Sequence, residues 1–522
     1  MPSVFAPTEV FSVGWASGWS SSPVKLHKNA TRNTAPAIAT HRTITFFRLT
    51  FLSARSEAST CAVRLALCRS RLILLITRLA DPLGRTFTTE GSNAVPANPS
   101  TYDVNPLEHP ASAEVPSNPV ALVVQKFGGT SVADADRMRE VADHVKRTRS
   151  RGDDVVLVVS AIGNETDELL RLADEVNDEP PGREMDMLVT AGERKAIALM
   201  CMALHAVGVP ADSFTGSQAG FETDNNHRNA KILSVDPHRV RDSIDKGRVA
   251  VVAGAQGMST DNNVTFLGRG GSDTTAVALA HGLGADACEL YTDVSGVFTT
   301  DPRVCPAAKR MESISFDELL EMTAVGCPKP AMRSVEVARA FGVPLHVRSA
   351  FTWEPGTWVL EEDPAMERAI IKGVIPDTSQ AKITLSGVQD EPGLAAKVFR
   401  TLANASVNVD MIVQNVSESD RTDISFTVPL EDLDVATATC ESLADSLGFG
   451  GVTADPNLGR VSVVGVGMAS NPGVAATMFE TLADNNVNIE MIATSPIRIS
   501  CVVAEQDVDR ATAALHTAYG LD

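Results

Sequence analysis

The feature that most constrains this chain is a short apolar segment that ends in a lysine, two glycines and two hydroxyl residues. Residues 123–131 read VVQKFGGTS, and a segment with helical periodicity follows them. Glycines let backbone N–H groups approach an anion closely, and a helix start adds a dipole that favours phosphate. Lys126 supplies a mobile positive charge for the same anion. The lysine precedes the glycines, so this is not a Walker loop. Alone, such a turn is more often structural than catalytic.

From residue 120 onward, the chain repeats the order strand, polar loop, helix. Residues 134–149 have the apolar spacing of an amphipathic helix. Residues 155–159 (VVLVV) and 249–254 (VAVVAG) are continuous apolar runs, which are typical of buried parallel strands. Ligands collect at the carboxyl ends of such strands. The pattern therefore predicts an α/β domain in which the polar loops form a site.

Charge and cysteine usage exclude several classes of partner. The 522-residue chain has a formal net charge of −20, which argues against nucleic acid or an anionic membrane as its main partner. Its eight cysteines form no C-x-x-C pair, which favours a reduced cytoplasmic protein over a zinc site or a disulfide scaffold. The apolar run at residues 72–76 is too short to span a membrane. We therefore expect a cytoplasmic protein and assign it no metal ligands.

Residues 1–119 differ in composition from the rest. Residues 1–80 are rich in Lys and Arg and contain only two acidic residues, Glu9 and Glu57. Residues 81–119 are rich in proline, serine and asparagine, as in disordered linkers. An organelle transit peptide is one explanation. The abrupt start of the ordered pattern at residue 120 favours the other, upstream sequence translated from a start site placed too early. We assign no function to this extension.

Five polar loops follow one another in a characteristic order. They are KFGGTS (126–131), SAIGNETD (160–167), TAGER (190–194), GRGGSDTT (268–275) and YTDVSGVFTTDPR (291–303). This ordered set resembles the amino-acid kinase family, and within it the aspartokinases. The resemblance implies a three-layer αβα catalytic domain with a mainly parallel sheet over residues 120–361. It also implies transfer of a phosphoryl group from ATP to the side-chain carboxylate of L-aspartate.

The C-terminal part contains an internal repeat with a period of 80 residues. Residues 390–403 return as 470–483, and residues 407–412 return as 487–492. Each copy predicts a βαββαβ order in which a Pro-Gly pair precedes the first helix. A duplicated unit of this kind could serve dimerisation alone. It also resembles the ferredoxin-like ACT domains, here 378–455 and 459–522, which implies feedback inhibition by lysine, threonine or both.

The resemblance also assigns roles to individual residues. A carboxylate with a pKa near ~3.9 is already a nucleophile at neutral pH, so no general base is needed and charge neutralisation dominates. We expect Lys126 and Asp273 to be catalytic, with Mg²⁺ bound to the ATP phosphates. The expected ATP-binding residues are Lys126, Phe127, Gly128, Gly129, Ser272, Thr292, Asp293, Phe298, Arg303 and Lys329. The expected aspartate-binding residues are Ser160, Thr166, Glu193, Arg269, Gly270, Gly271 and Ser272.

The repeats carry the expected effector site, where the helix start receives the effector carboxylate and the following strand its amino group. The residues are Asp390, Pro392, Gly393, Ala395, Asn408, Val409, Asp410 and Gln414 in the first repeat and Asn488, Ile489 and Glu490 in the second. Modules of this kind pair across subunits. We therefore expect a homo-oligomer or a complex with a separate chain that consists of ACT domains.

One stretch departs from the family pattern. Residues 326–333 read GCPKPAMR, and the flanking register puts Pro328 where the family has a phosphate-binding lysine, with Lys329 one place later. Two prolines fix φ and remove donors, so we expect no continuous helix here. One alternative follows from this departure: the chain could be an amino-acid sensor with weak or lost kinase activity. A second alternative keeps the fold but takes another carboxylate acceptor, and the two ACT-like repeats and the set of loops weigh against it.

Overall fold

The computed structural model describes residues 122–361, 371–414, 421–466, 468 and 471–522. The extension predicted for residues 1–119 lies outside them. After the roles that the family resemblance implies, we call residues 122–361 the catalytic part and residues 371–522 the regulatory part. Within the described residues, no helix is both long enough and apolar enough to cross a membrane.

The catalytic part alternates strands and helices. Its strands are β1 (Leu122–Phe127), β2 (Asp154–Val159), β3 (Ala211–Phe214), β4 (Phe221–Thr223), β5 (Ile232–Val235), β6 (Val249–Ala253), β7 (Gln256–Ser259), β8 (Val264–Phe266), β9 (Ala287–Thr292), β10 (Ser313–Ser315), β11 (Leu345–Ser349) and β12 (Thr357–Leu360). Its helices are α1 (Ala135–Ser150), α2 (Glu165–Val176), α3 (Gly182–Ala206), α4 (His238–Asp245), α5 (Gly271–Leu283), α6 (Phe316–Ala324) and α7 (Met332–Phe341). A 3-10 turn, Gly129–Val132, follows β1.

An eight-stranded sheet forms the middle layer, with the order β10-β12-β11-β9-β1-β2-β6-β3. All neighbouring strands pair in parallel except β11 and β12. Side chains of β2 alternate between two cores: Val156 and Val158 face one, whereas Val155, Leu157 and Val159 face the other. Because both faces of the sheet are covered, β2 and β6 are almost entirely apolar. The predicted three-layer α/β class is confirmed.

A second, smaller sheet was not predicted. It has the order β5-β4-β7-β8 and lies within residues 221–266. Its strands have three or four residues each, and all four residues of β5 are at least partly exposed. Such short segments lack the apolar periodicity by which longer strands are recognised.

The regulatory part contains the two predicted repeat units. Its strands are β13 (Gly373–Asp377), β14 (Gln380–Gln389), β15 (Ile412–Gln414), β16 (Arg421–Pro429), β17 (Gly451–Asp455), β18 (Leu458–Val464), β19 (Met491–Ser495) and β20 (Arg498–Ala504). Its helices are α8 (Leu394–Asn404), α9 (Leu433–Leu447), α10 (Val474–Asp484) and α11 (Val508–Ala518). They form two antiparallel sheets, β15-β16-β14-β17 and β13-β18-β20-β19.

The two units are interleaved along the chain. The first follows the predicted βαββαβ order from β14 to β17. The second takes its fourth strand, β13, from residues that precede the first unit. Helices α8 and α10 begin after Gly393 and Gly473, whose φ angles of 96° and 111° favour glycine. The 80-residue repeat therefore corresponds to a structural repeat. The difference is that the fourth strand of the second unit comes from the chain before the first unit.

Candidate active site

The glycine turn after β1 packs against the loop after β2. The Ser160 amide donates to the Phe127 carbonyl at 3.1 Å, and the Gly163 amide donates to the Gly129 carbonyl at 3.0 Å. A Cβ atom on Gly129 would lie 2.6 Å from the Gly163 carbonyl oxygen, so only glycine fits there. The two loops therefore form one surface at the carboxyl ends of neighbouring parallel strands, as the sequence predicted.

Lys126 and Asp273 form a buried ion pair beside this turn. Lys126 is on β1 and Asp273 is in the first turn of α5, and Nζ lies 2.5 Å from Oδ1. Burial alone would raise the pKa of Asp273, but the Lys126 ammonium and the Ala331 amide hold it below its usual range. The pair therefore places a fixed positive charge against the turn and keeps its carboxylate ionised.

The start of α5 adds closely packed backbone to the site. Gly270 precedes the helix with a φ of 72°, and its Cβ would lie 2.5 Å from the Ala331 Cβ. Ser272 is buried against Gly254, whereas the Arg269 side chain is exposed. The Ala331 amide donates to Asp273 Oδ2 at 3.2 Å. This backbone contact joins residues 325–331 to the ion pair, and no sequence signal indicated it.

Glu193 is a buried carboxylate on α3. Its Oε2 atom has no hydrogen-bond partner among the described residues. Burial raises its pKa to about 7, the Glu193 and Ala161 amides lower it in part, and nearby Glu165 raises it further. A buried carboxylate without a full set of partners is suited to receive a cation. Ser160 is half-buried on the loop that supplies the Ala161 contact, and Thr166 is half-buried in the first turn of α2.

The expected nucleotide-binding stretch after β9 is more open. Thr292 is buried and bonds the Val294 backbone, whereas Asp293 is exposed. Phe298 is half-buried, and its backbone forms an isolated antiparallel β-bridge with Arg310. The Arg303 guanidinium contacts Asp301 at 2.6–3.1 Å. In this arrangement Arg303 is held by a neighbouring carboxylate, and a nucleotide phosphate would have to compete for it.

The Phe127 side chain does not face the site. It is fully buried and stacks on Tyr291, with ring centroids 4.6 Å apart. Any contact of Phe127 with a nucleotide is therefore made by its backbone. The sequence grouped Phe127 with the glycine turn, whereas it is the last residue of β1, and the sequence could not show which way the ring points.

Comparison with known proteins identifies the family. Residues 121–349 match the amino acid kinase family, and residues 383–442 and 461–519 match the ACT domain. The chain is 52% identical to an aspartokinase of Mycolicibacterium smegmatis over 407 residues, which cover 77% of this chain and 97% of that protein. The chain belongs to the aspartokinase family. An aspartokinase of Corynebacterium glutamicum matches with the same identity and coverage.

A solved aspartokinase has the same fold. Escherichia coli aspartokinase III in complex with aspartate and ADP is 25% identical, with a TM-score of 0.64 that covers 76% of this chain and 99% of that one. Its complex with lysine and aspartate gives a TM-score of 0.62. The two ACT units and the catalytic part of this chain therefore have the arrangement of elements found in an aspartokinase.

The stretch that departs from the family pattern lies next to the ion pair. As predicted, no helix runs through it, since α6 ends at Ala324 and α7 begins at Met332. Lys329 is exposed, and its charge contributes to the lowered pKa of Asp273. The segment therefore brings a lysine towards the site of this aspartokinase family member, despite the proline at position 328.

The expected effector residues occupy equivalent places in the two units. Asn408 and Asn488 are exposed, and Val409 and Ile489 are half-buried. The next residue in each unit is an acid that is ion-paired: Asp410 with Arg460, and Glu490 with Lys382 at 2.9 Å. Asp390, Pro392 and Gln414 are exposed, and Ala395 is half-buried. Both carboxylates thus already have a basic partner in the other unit.

The titration of Glu193 leads to a pH prediction. If the ionised carboxylate binds the substrate ammonium, the KM for aspartate should be about tenfold higher at pH 6 than at pH 8, because the pKa of Glu193 is near 7 and aspartate does not titrate in that range. Steady-state kinetics between pH 6 and 8 measure this. Glu193→Gln should raise KM at pH 8 and flatten the profile.

A second variant serves as the control for this pH profile. Glu165 raises the pKa of Glu193 by charge repulsion, so Glu165→Gln should move the midpoint of the profile to lower pH without removing it. An unchanged pH profile in Glu193→Gln would show that another group controls the KM for aspartate.

Proposed function

We propose that this chain is an aspartate kinase that converts ATP and L-aspartate to ADP and 4-phospho-L-aspartate. The observation that carries the proposal is the Lys126–Asp273 pair beside the glycine turn, in a chain that matches aspartokinases over nearly their whole length. This reaction supplies the common precursor of lysine, threonine and methionine, as implied by the family resemblance.

The acceptor carboxylate is ionised at neutral pH, so its approach to the γ-phosphate is opposed by charge. Lys126 is positioned to neutralise the transferring phosphoryl group, and the amides of Gly128 and Gly129 can donate to the same oxygens. Asp273 orients Lys126 and, because its pKa is lowered, is not suited to remove a proton. The catalysis is therefore electrostatic, and no side chain serves as a general base.

Mg²⁺ is expected to enter with ATP and to spread the negative charge of its phosphates. Among the described residues, one group of His, Cys, Asp and Glu is close enough to hold a metal, Cys305 with His516 and Asp522. It does not include Asp273. As the family resemblance implies, we assign Mg²⁺ to the nucleotide, and Asp273 beside Lys126 is the acidic residue that would orient it or the lysine.

Aspartate binding is assigned to the loops after β2 and β8 and to α3. Glu193 would receive the ammonium, and Arg269 is free to reach a carboxylate with both arms of its fork. Ser160, Thr166 and the start of α5 would complete the site. The complex of E. coli aspartokinase III with aspartate and ADP supports a site for both ligands in this fold.

Regulation is assigned to the ACT units, where lysine, threonine or both would bind and inhibit. The lysine complex of E. coli aspartokinase III supports this assignment. We further propose that the protein is a cytoplasmic homo-oligomer or pairs with a separate ACT chain. The six described cysteines are free, which supports a reducing compartment.

The activity prediction concerns the acceptor. Purified full-length protein with ATP, Mg²⁺ and hydroxylamine should form a hydroxamate from L-aspartate at least about 100-fold faster than from L-glutamate, because an extra methylene displaces the reacting carboxylate from the bound phosphoryl group. A colorimetric hydroxamate assay measures both rates. Equal rates would make this a kinase for another carboxylate, and no product with either would support the sensor alternative.

A further inference from the structure

Arg460 connects three separate parts of the molecule. It is on β18 of the second ACT unit, and its side chain is 3% exposed. One terminal nitrogen, Nη1, pairs with Asp410 of the first ACT unit. The other, Nη2, donates to Asp377 on β13 at 2.7 Å and to the Ala324 carbonyl of the catalytic part at 3.4 Å. A planar fork with several donors can hold these three acceptors at once.

Asp410 links this cluster to the proposed effector site. It precedes β15, at the position that Glu490 has before β19. Both acids are paired with a basic residue in the first strand of the other unit, and the Asp410 side chain remains 34% exposed. An amino-acid effector brings an ammonium, which would compete with Arg460 for this carboxylate.

The third acceptor links the cluster to the proposed active site. Ala324 is the last residue of α6, and residues 325–331 run from it to the Ala331 amide that donates to Asp273. Asp377 packs on the same segment, because a Cβ on Gly326 would lie 2.8 Å from the Asp377 Cβ. Arg460 and Asp377 therefore hold the start of the segment that carries Lys329 and ends at the catalytic ion pair.

We propose that Arg460 is a positioning residue that couples effector binding to the placement of residues 325–331. With Asp410 free of effector, Arg460 is held in its fork and fixes the end of α6. When an effector ammonium takes Asp410, Arg460 loses one of its two carboxylates, and its contacts with Asp377 and Ala324 change. The segment then moves relative to Asp273, which lowers phosphoryl transfer. This inference rests on the proposed aspartate kinase activity and its amino-acid control.

The first test uses Arg460→Lys, which keeps the charge but loses the planar fork whose two terminal nitrogens reach Asp410 on one side and Asp377 and Ala324 on the other. The measured quantity is the ratio of activity without effector to activity with saturating L-lysine and L-threonine. This ratio should fall about tenfold relative to wild type, in the range of ordinary allosteric couplings. Calorimetric titration should still detect effector binding, since Asp410 is intact. A wild-type ratio in Arg460→Lys would overturn the proposal.

Arg498, on the neighbouring strand of the same sheet, provides a matched control. Arg498 on β20 also reaches the catalytic part, where it pairs with Glu321 of α6 at 3.2 Å, but it has no contact with an effector acid in the structure described. Arg498→Lys should keep the inhibition ratio within about twofold of wild type, as expected for a partly exposed structural pair. An equal loss in both variants would show that any weakening of this contact region has the same effect, and would overturn a specific role for Arg460.

A second variant separates the inference from the proposed activity. Asp410→Asn removes the charge that holds Arg460, so amide hydrogen exchange of the non-proline residues in 325–331 without effector should shift towards that of wild type with lysine and threonine. This readout needs no turnover. If wild type forms no hydroxamate but shows the exchange change, the activity proposal fails and the coupling stands. If exchange at residues 325–331 does not respond to the effectors in wild type, or to Asp410→Asn, the coupling is wrong.

Discussion

Substitution of Lys126 by methionine is expected to lower kcat/KM for ATP about 10³-fold, at the upper end of the effect of removing one electrostatic group from an active site. We expect a large loss because Pro328 stands where the resemblance places the second family lysine. Lys126 would then supply more of the positive charge that faces the phosphates. Methionine keeps the length and apolar contacts of the side chain. Steady-state kinetics with saturating aspartate measure the effect.

The same substitution should also destabilise the fold, since it leaves Asp273 buried without its partner. Breaking one side of a buried pair costs about 3–5 kcal/mol, whereas removing both charges is close to neutral. The double variant Lys126→Met, Asp273→Asn should therefore regain most of the free energy of unfolding and none of the activity. If stability and activity return together, the loss in the single variant came from unfolding.

Two lysines serve as controls for this prediction. Lys329→Met should lower kcat/KM about tenfold, because Lys329 is exposed and solvent weakens its interaction with a phosphate. Lys146→Met, on the exposed side of α1, should have no measurable effect. If Lys329→Met proved as damaging as Lys126→Met, Lys329 would be the direct replacement of the displaced family lysine.

The sequence predicted the buried strands of the central sheet well, because a parallel strand covered on both sides is mostly apolar. Val155, Leu157 and Val159 face one core and Val156 and Val158 the other, and the uninterrupted apolar run is the direct result. The small sheet left no such signal, since its strands are short and partly exposed. Nor did any signal in the sequence indicate that β13, which precedes the first unit, pairs with β18 of the second unit, because the pairing of a strand depends on residues that are distant in sequence.

The candidate site divides in the same way. The sequence indicated three residues of the site because each has a fixed place in a motif: Lys126, Gly129 and Asp273. The structure brings them together. The Ala331 amide could not be predicted, since every residue except proline offers an amide. Arg460 resembles any charge on a strand, and its role depends on three acceptors that are 50 to 136 residues away in sequence.

The second large effect is expected from Gly129→Ala. The added Cβ would lie 2.6 Å from the Gly163 carbonyl oxygen and 2.9 Å from that of Ala161, and backbone atoms cannot yield as a flexible side chain can. The loop after β2 would have to move away from the turn, and the Gly163–Gly129 hydrogen bond would be strained. We expect kcat/KM to fall about 100-fold, because small displacements of positioning groups have effects of that size.

This displacement should affect both substrates, which distinguishes it from the loss of a single contact. The moving loop carries Ser160 and also the Ala161 amide that influences Glu193. The KM values for ATP and for aspartate should therefore rise together, and the free energy of unfolding should fall by about 1–3 kcal/mol, as for other overpacked sites. Kinetics with each substrate varied in turn, and chemical denaturation, measure these quantities.

The neighbouring glycine provides the contrast. A Cβ on Gly128 would meet only the Lys126 Nζ atom, at an ordinary contact distance of 3.6 Å. Gly128→Ala should therefore unfold at the same denaturant concentration as wild type and raise the KM for ATP alone, since the methyl group stands beside the phosphate-binding ammonium and not against the second loop. If Gly129→Ala changed only the KM for ATP, the two loops would not act as one surface, and the aspartate site would have to be placed away from the loop after β2.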